Sequence, residues 1–495
     1  MRRRIIFAAI ILAAVLAVVA VTRIVIVARE FDAAITAERF DALRADHTGL
    51  RAFLRRMPKG GDLHTHLSGA IYAERLIAWA EQDGLCVRAS DLSIVDPPCD
   101  QDKGTAPVAE ALRDQGSYDR LVNSLSMRFF LPSAANPSGH DQFFATFGRF
   151  GASSNHPAEM AVDQLRLYQA QAVQYVEFMT TFLWSKDRRP LAETIKGQTD
   201  FAAMLATLKA NGFDRIVEGT RNDVAEQIKR IEAQLDCDAG RSKPGCNVTY
   251  RYIVQVARNT PIEEVFVQTA AAAALIRVEP RVVALNFVQA EDNRIARADY
   301  GAHMRIVRFL AGDVAVALHA GELWLGLVPP QDLTFHIREA VEIAGARRIG
   351  HGVALAFERD MDGLLALMRA RPVAVEINLT SNDVILGVRG ADHPLPTYLA
   401  AGVPVVLSTD DAGVSRIDLT NEYFRAAHEH DLGYRTLKAI ARNALVHAFL
   451  AEPQKRAELE RFDRACAEFE AWAAGRTSWP QRLWMLAKAA AAPAR

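Results

Sequence analysis

The stretch Asp62-Leu63-His64-Thr65-His66-Leu67 places two histidines, one residue apart, at the end of a short apolar run. Side chains two positions apart on a β-strand point to the same face, so His64 and His66 can bind one metal ion together. This spacing is common by chance, and it gains weight from similar clusters elsewhere in the chain. Three more polar clusters each follow a short apolar run: Leu318-His319-Ala320-Gly321-Glu322, Gly350-His351-Gly352 and Ser408-Thr409-Asp410-Asp411. Together the clusters predict a metal site assembled from several strand ends of a barrel.

Eight short apolar runs in the chain suit buried parallel strands, and helical stretches separate them. Alternating strands and helices predict a parallel sheet, and eight such units predict a closed (β/α)8 barrel, the TIM barrel of the α/β class. The rival is an open doubly wound sheet, but no G-x-G-x-x-G motif follows the first run. The predicted strands are 62–67, 173–179, 250–256, 282–288, 314–318, 347–350, 373–379 and 403–409.

The chain of 495 residues is long enough for one large domain with attachments. We predict the barrel over residues 57–455, a helical segment over 31–56 before it, and helices over 456–495 after it. About 100 residues separate the first two predicted strands, far more than one connecting helix needs. We therefore expect an insertion at about 80–165, with helices of its own, near the barrel mouth. A smaller insertion around 236–247 precedes the third predicted strand.

The first 30 residues form a leader in which three arginines precede an apolar run over residues 5–21. This pattern predicts a signal peptide or a membrane anchor, and we favour an uncleaved anchor because Val18 and Ala20 form a mediocre cleavage pattern. In both cases the rest of the chain is exported to the periplasmic or extracellular side. The net charge of −1 shows no basic excess, which excludes nucleic acid as an electrostatic partner. For the assembly, we keep a homodimer as an open expectation.

The five cysteines fit an exported protein. Cys86 and Cys99 lie 13 residues apart, and Cys237 and Cys246 lie 9 apart, both in polar stretches. Such local pairs predict two loop disulfides, with Cys466 left over on a helix, while the alternative is that all five are free thiols.

The predicted strand ends bring together a defined set of metal-binding side chains. A barrel carries its reactive groups at the C-terminal ends of the strands, where His64, His66, His319 and Asp410 fall. Three imidazoles and one carboxylate suit a single Zn²⁺ ion with a position left for water. Glu322, three residues beyond His319, is near the metal without being a ligand, which suits a proton donor or shuttle.

These motifs resemble the adenosine deaminase family of metal-dependent amidohydrolases. The resemblance covers about residues 57–455 and includes Met57-Pro58-Lys59 before the His64 pair, the 318–322 segment, Arg348-Ile349-Gly350-His351-Gly352 and the 408–411 segment, in the family's order. The segment 376–386 resembles a further family motif, with Asn378-Leu379 in place of the usual Cys-Pro. The leader, the long insertion and the cysteine pairs look more like the secreted, growth-factor-type branch.

The resemblance implies hydrolytic deamination of adenosine or 2′-deoxyadenosine to the inosine nucleoside and ammonia, a reaction on the C–N bond of a cyclic amidine. It implies that Glu322 protonates purine N1, that His351 orients or deprotonates the attacking water, and that Asp411 accepts a hydrogen bond at N7. His64, His66, His319 and Asp410 are implied to bind the zinc ion. The 282–288 strand contains no lysine, which argues against the binuclear, carbamate-bridged hydrolases that share the barrel.

Three positions leave the substrate open. Ser68 stands where the family often has a polar residue that reaches the sugar, and we expect Ser68, together with His66, to bind substrate. Gln289 stands near the usual position of a glycine whose amide meets purine N3, so it could crowd that approach or replace the contact. Trp324 could line the pocket or pack in the core. The alternatives are a deaminase or amidohydrolase of another aminopurine or modified nucleoside, and a binding or signalling module with vestigial catalysis.

Overall fold

The computed structural model describes residues 29–133, 137–182, 185–237 and 243–475, together with residue 7. The predicted leader therefore lies almost entirely outside the described residues, and so does the end of the predicted C-terminal helices. Within the described part, no helix is both long enough and apolar enough to cross a bilayer.

Eight parallel strands form one sheet that closes into a barrel. In chain order the strands are β1 (Gly61–His66), β5 (Tyr175–Thr180), β6 (Thr249–Ala257), β7 (Val282–Val288), β8 (Ala315–Ala320), β9 (Arg348–His351), β10 (Ala374–Ile377) and β11 (Val405–Leu407), and each pairs with the next. A bridge between Thr65 and Asp410 links the two ends of the sheet. There the Asp410 N–H donates to His64 O, and the His66 N–H donates to Asp410 O. The predicted (β/α)8 fold is confirmed.

All eight predicted strands are present, with the largest differences in the last two. The strand predicted at 373–379 ends at Ile377, because Leu379 begins a helix. The strand predicted at 403–409 is only Val405–Leu407, because the chain turns after it. Asp410 has φ of +58°, a left-handed conformation that cannot continue a strand. Because both strands end early, the polar residues Asn378, Asp410 and Asp411 lie beyond the strands, at the barrel mouth.

Helices surround the barrel and connect its strands. The helix at the N-terminal side is described over 29–42 and is separated from the next by a turn at 43–45. The single helix predicted there is thus two, because the Asp46 side chain caps the second one by accepting from the Gly49 N–H. The remaining helices are His47–Arg56, Ala73–Gln82, Val108–Ala111, Gln115–Ser124, Gly139–Phe150, Pro157–Ala170, Ser185–Thr194, Phe201–Ala210, Phe213–Leu235, Ile262–Val278, Arg294–Ala298, Tyr300–Ala311, His336–Glu342, Met361–Ala370, Leu379–Leu386, Leu395–Ala400, Ala412–Ser415, Leu419–Glu429, Tyr434–Val446 and Glu452–Ala473.

The segment between β1 and β5 carries a small antiparallel sheet as well as helices. Its strands β2 (Cys86–Arg88), β3 (Ile94–Val95) and β4 (Thr105–Pro107) pair in the order β3-β2-β4. The helix Gly139–Phe150 begins at Ser138, whose side chain accepts from the Asp141 N–H. This helix packs against Leu379–Leu386 at the barrel mouth and presents phenylalanines to the cavity described below.

Both predicted disulfides are present, Cys86–Cys99 and Cys237–Cys246. Cys466 is a buried free thiol on the helix Glu452–Ala473, as predicted. Disulfides of this kind persist in oxidising compartments, which fits a protein folded outside the cytoplasm.

Candidate metal and catalytic site

Four of the predicted ligands meet at the mouth of the barrel. His64 and His66 come from β1, His319 from β8, and Asp410 from the turn after β11. The Nε2 atom of His319 lies 3.1 Å from that of His64 and 3.3 Å from that of His66. Asp410 Oδ1 lies 3.4 Å from His64 Nε2 and 3.2 Å from His66 Nε2. Four donor atoms on four sides of one small space can bind a metal ion.

The second ring nitrogen of each histidine is held by a polar side chain from another strand of the barrel. His64 Nδ1 pairs with Glu376 Oε2 at 2.6 Å, and His66 Nδ1 pairs with Gln255 Oε1 at 3.0 Å. His319 Nδ1 lies 2.9 Å from the side-chain oxygen of its partner, Asn286. All three partners are acceptors, so each Nδ1 carries a proton and each Nε2 faces the centre, where it can offer a lone pair to a bound cation.

The carboxylate ligand is also oriented by a neighbour. Ser381 Oγ donates to Asp410 Oδ2 at 2.6 Å, and this leaves Oδ1 facing the three Nε2 atoms. Oδ1 is buried and has no hydrogen-bond partner among the described residues. A buried carboxylate oxygen without a partner is costly unless a cation or a proton meets it. The donor set is therefore complete on the protein side and suits a cation.

The electrostatics of the cluster favour positive charge. Burial acts to lower the pKa of His64, but hydrogen bonds to Asp410 and Glu376 and their charges raise it to about 10. Burial likewise opposes ionisation of Asp410, yet the neighbouring imidazoles of His64, His66 and His351 hold its pKa well below the ordinary value. The two carboxylates, Glu376 and Asp410, thus create a buried anionic centre around the imidazoles.

Glu322 lies beside this cluster on the turn that follows β8. It is 6% exposed, and its Oε1 lies 3.6 Å from His351 Nδ1. Burial and the negative charge of Asp410 raise its pKa well above the ordinary value, which favours the protonated carboxyl. Glu291 fixes the turn, because its two carboxylate oxygens accept from the Gly321 and Glu322 N–H groups at 3.1 and 2.8 Å. Gly321 has φ of +75°, which the tight turn requires.

A chain of hydrogen bonds fixes the proton of His351. The Leu395 N–H donates to His393 Nδ1, so the proton of the His393 ring is on Nε2, which donates to Asn382 Oδ1 at 3.0 Å. The Asn382 amide then donates to His351 Nδ1 at 2.9 Å. Burial lowers the pKa of His351 to about 3, so the ring is neutral with its proton on Nε2. His351 itself has φ of +68° at the end of β9.

Asp411 faces the cavity beside the metal-binding cluster. It is 3% exposed, and its Oδ1 has no hydrogen-bond partner among the described residues. Burial and the charge of Asp410 raise the pKa of Asp411 well above its ordinary value. Gly69 makes room for it, since a Cβ atom there would lie 1.6 Å from Asp411 Oδ1. Asp411 is therefore a buried carboxyl whose environment favours the protonated form.

One cavity of about 440 Å³ opens from these groups, which is a common size for a small-molecule site. Ser68 and Gln289 both line it, as expected for residues that meet the substrate. Gln289 has φ of +81°, so its backbone keeps the conformation that a glycine favours. Its side chain is turned toward Asn259, whose N–H donates to Gln289 Oε1 at 2.9 Å. Trp324 packs against Phe357 and is not part of the cavity wall.

Sequence reasoning found the predicted ligands and missed the residues that orient them. The missed residues are Gln255, Asn286, Glu291, Glu376, Ser381, Asn382 and His393. For three of them a signal existed, because Gln255, Asn286 and Glu376 are polar residues inside otherwise apolar strands. A buried polar side chain needs a partner, and a predicted metal site supplies one.

Comparisons with known proteins agree with this site. A family model for adenosine deaminase matches residues 220–465. The adenosine deaminase of Enterococcus faecalis is 34% identical over 153 residues, which are 31% of this chain and 42% of that protein. The adenosine deaminase of Salmonella typhimurium is 37% identical over 151 residues, 30% of this chain and 42% of the relative. The matched part of this chain thus spans less than half the length of either curated relative.

Solved structures share the fold over most of the chain. The apo N6-methyl-AMP deaminase of Arabidopsis thaliana has a TM-score of 0.56 at 19% identity and covers 84% of this chain and 99% of its own. A zinc-bound amidohydrolase from Burkholderia ambifaria has a TM-score of 0.50 at 16% identity, covering 85% of this chain and 95% of its own. At these identities the likeness concerns the fold alone. The affiliation with the secreted, growth-factor-type branch stays a prediction. The family model, the curated relatives and the four motifs at the barrel mouth all point to the adenosine deaminase family.

Proposed function

We propose that this chain catalyses the hydrolytic deamination of adenosine and 2′-deoxyadenosine, releasing ammonia and the inosine nucleoside, with one zinc ion at the barrel mouth. The observation that carries the proposal is the position of Glu322, a buried carboxyl that holds a proton beside a four-donor metal site. An acid next to a metal centre in a closed cavity is what protonation of a purine ring nitrogen during attack by water needs.

The donor geometry supports zinc. With zinc–ligand distances of about 2.0–2.1 Å, the ligand atoms of a tetrahedral site lie roughly 3.3 Å from one another. The four measured separations range from 3.1 to 3.4 Å. Neutral imidazoles and one carboxylate are also the donors that zinc accepts. When bound there, zinc supplies Lewis-acid chemistry that makes a water molecule a nucleophile near neutral pH.

Three side chains of the site, Glu322, His351 and Asp411, act at different atoms of the purine and of the attacking water. Glu322 donates its proton to N1, which withdraws electrons from C6 and favours attack by water at that carbon. His351 carries its proton on Nε2 and therefore orients water as a donor, rather than removing a proton from it. Purine N7 is an acceptor, so the hydrogen bond expected there runs from the protonated Asp411 to N7, opposite to the direction implied by the resemblance.

The cavity wall favours a nucleoside over a nucleotide. Among the described residues that line the cavity, none is lysine or arginine. A phosphate group would therefore find no guanidinium or ammonium group there, and His140, which also lines the cavity, already faces Asp141 and Asp292. A second candidate substrate is an aminopurine nucleoside that is modified on the base. Gln289 supports it, because this side chain occupies a place where a glycine would leave room.

We place the activity outside the cytoplasm. Two disulfides fit an oxidising compartment, and the sequence of the leader predicts export. The membrane anchor remains a proposal that rests on the sequence of residues 1–30.

The proposal is tested by the release of ammonia from adenosine, 2′-deoxyadenosine, AMP and adenine, and of methylamine from N6-methyladenosine, with the disulfide-bonded chain and one equivalent of zinc. We expect the two unmodified nucleosides to be the best substrates. Glu322→Gln should lower kcat by about 100-fold or more because it removes the proton donor. Glu470→Gln, a change at a buried carboxyl that pairs with Tyr434 and Lys438 away from the site, is the matched control. Absence of ammonia or methylamine release from every substrate, with zinc bound, would instead favour a binding or signalling module.

A further inference from the structure

A second cavity adjoins the first at the barrel mouth. It has a volume of about 530 Å³, close to the 440 Å³ of the first. Four residues line both cavities: Ser68, Phe147, Thr181 and Gln255. The two spaces therefore meet at a common wall, which we call the threshold. The far side of the second cavity is formed by the helix Phe213–Leu235 and by the Gly151–Ser154 turn of the insertion.

The threshold faces the part of a substrate that does not react. This step rests on the proposed function, in which purine C6 lies at the metal-binding cluster. The sugar is attached at N9, on the opposite edge of the purine, and so points away from that cluster toward the mouth. Gln255 reaches from the metal-binding cluster to the threshold. Its Oε1 lies 3.0 Å from His66 Nδ1, and its Nε2 lies 3.4 Å from Thr181 Oγ1. A group carried on the sugar would thus enter the second cavity past Ser68 and Thr181.

The charged groups of the second cavity select against a phosphate. Asp223 and Glu226 line it from the helix Phe213–Leu235, and Glu226 Oε2 lies 3.5 Å from Lys229 Nζ, which does not line the cavity. Arg230 is the one positive side chain among its described lining residues, and its Nη2 already pairs with Glu159 Oε1 at 2.9 Å. An anionic group would meet two carboxylates without a free partner, whereas a neutral or cationic group would meet them favourably.

We infer that the second cavity is a binding site for a substituent on the 5′ carbon of the nucleoside, and that it accepts neutral or cationic groups and rejects phosphate. The 5′ carbon is the exocyclic arm of the sugar, so a group attached to it can extend past the threshold without moving the base. The enzyme's substrates then include adenine nucleosides that are extended at the 5′ position by an alkylthio or aminoalkyl group.

Gly151 allows the second cavity to be filled selectively. It lines that cavity, has the ordinary helical φ of −50°, and has open space where a Cβ atom would lie. Gly151→Phe should therefore occupy the cavity without backbone strain. Gly148 provides the matched control, because it also has open space around it, lies three residues earlier and lines neither cavity.

The test compares kcat/KM for 5′-deoxy-5′-aminopropylthioadenosine with kcat/KM for adenosine. In the parent protein we expect the two values to agree within about tenfold, and Gly151→Phe should lower their ratio by about tenfold or more. Gly148→Phe should leave the ratio unchanged. Equal ratios in the two variants would overturn the inference. Calorimetric binding of the corresponding 5′-extended inosine to both variants gives the same comparison without turnover.

A charge reversal in the second cavity tests whether the cavity selects against phosphate. Glu226→Lys places a positive side chain in the second cavity and should raise kcat/KM for AMP relative to adenosine by about tenfold. Glu218→Lys, an exposed change on the same helix outside the cavity, should have no such effect. If neither variant changes that ratio, the cavity does not receive the 5′ group. If adenosine itself is not deaminated, the proposed function fails. The calorimetric comparison of Gly151→Phe with Gly148→Phe then still shows whether the second cavity binds the 5′ group.

Discussion

Asn382 donates a 2.9 Å hydrogen bond to His351 Nδ1, and this bond decides where the proton of that imidazole lies. The direction of the bond is set two steps away, by the backbone N–H of Leu395 through His393. A backbone amide can only donate, so each later bond in the chain has one possible direction. The fold thereby imposes the Nε2-protonated form of His351 before any ligand arrives.

Replacing Asn382 should impair catalysis without unfolding the protein. Asn382→Asp presents a carboxylate that favours a proton on Nδ1, so His351 adopts the other tautomer and kcat should fall by about 100-fold or more. Asn382→Ala should cost less, because it leaves the tautomer free. Nitrogen chemical shifts of His351 report the tautomer directly. Identical shifts in the parent and Asn382→Asp would contradict the account.

Glu376 should control metal affinity through His64. Glu376→Gln removes the negative charge that holds the imidazole in its metal-binding tautomer, and comparable changes weaken metal binding by about 10- to 100-fold. Competition with a chromogenic chelator measures the change. Glu470→Gln, at a distant buried carboxyl, should bind zinc like the parent protein. If Glu376→Gln and Glu470→Gln both bind zinc with the affinity of the parent protein, Glu376 does not control metal binding.

Stability should fall as pH rises from about 4.5 to about 7, in part because of Glu358. Burial raises the pKa of this carboxyl from 4.5 to about 7 in the folded chain, and its buried Oε2 has no hydrogen-bond partner among the described residues. A raised folded-state pKa gives stability that is complete below the unfolded-state pKa and is lost as pH passes the folded-state value. Glu358→Gln should flatten the pH dependence of the free energy of unfolding in urea. Glu342→Gln, at a more exposed carboxylate paired with Arg338, should not.

The Cys86–Cys99 disulfide should stabilise the insertion. Closing a loop of this size contributes about 3 kcal/mol by constraining the unfolded chain, so Cys86→Ser with Cys99→Ser should lower the free energy of unfolding by about that amount. Thiol titration of the denatured parent should detect Cys466 alone before reduction, and all five cysteines after it. Five reactive thiols without reduction would show that the disulfides do not form.

The barrel was predictable because each strand is a short apolar run and each ligand directly follows one. The small β2–β4 sheet was not predicted, since its strands are two or three residues long and give no clear period. Its position in the long insertion is also far from the runs that define the barrel.

The orienting residues of the site were harder to predict than the ligands. Glu376 meets His64 because β10 lies only two strands from β1 once the sheet closes through β11, and such contacts depend on strand stagger, which a single sequence does not reveal. The left-handed backbone at His351 and Asp410 was equally hidden, because neither residue type requires it. His393 carries no sequence signal of its role, because that role depends on Asn382, eleven residues away on another element.

The most direct test of the central claim is zinc-dependent ammonia release from adenosine by the full chain. The chain is stripped with a chelator, returned to one equivalent of zinc, and assayed beside His319→Ala and the matched core variant His303→Ala. We predict that activity returns with one bound zinc per chain in the parent and in His303→Ala, and that His319→Ala neither holds zinc nor releases ammonia. Full activity of the stripped chain, or of His319→Ala, would contradict the account.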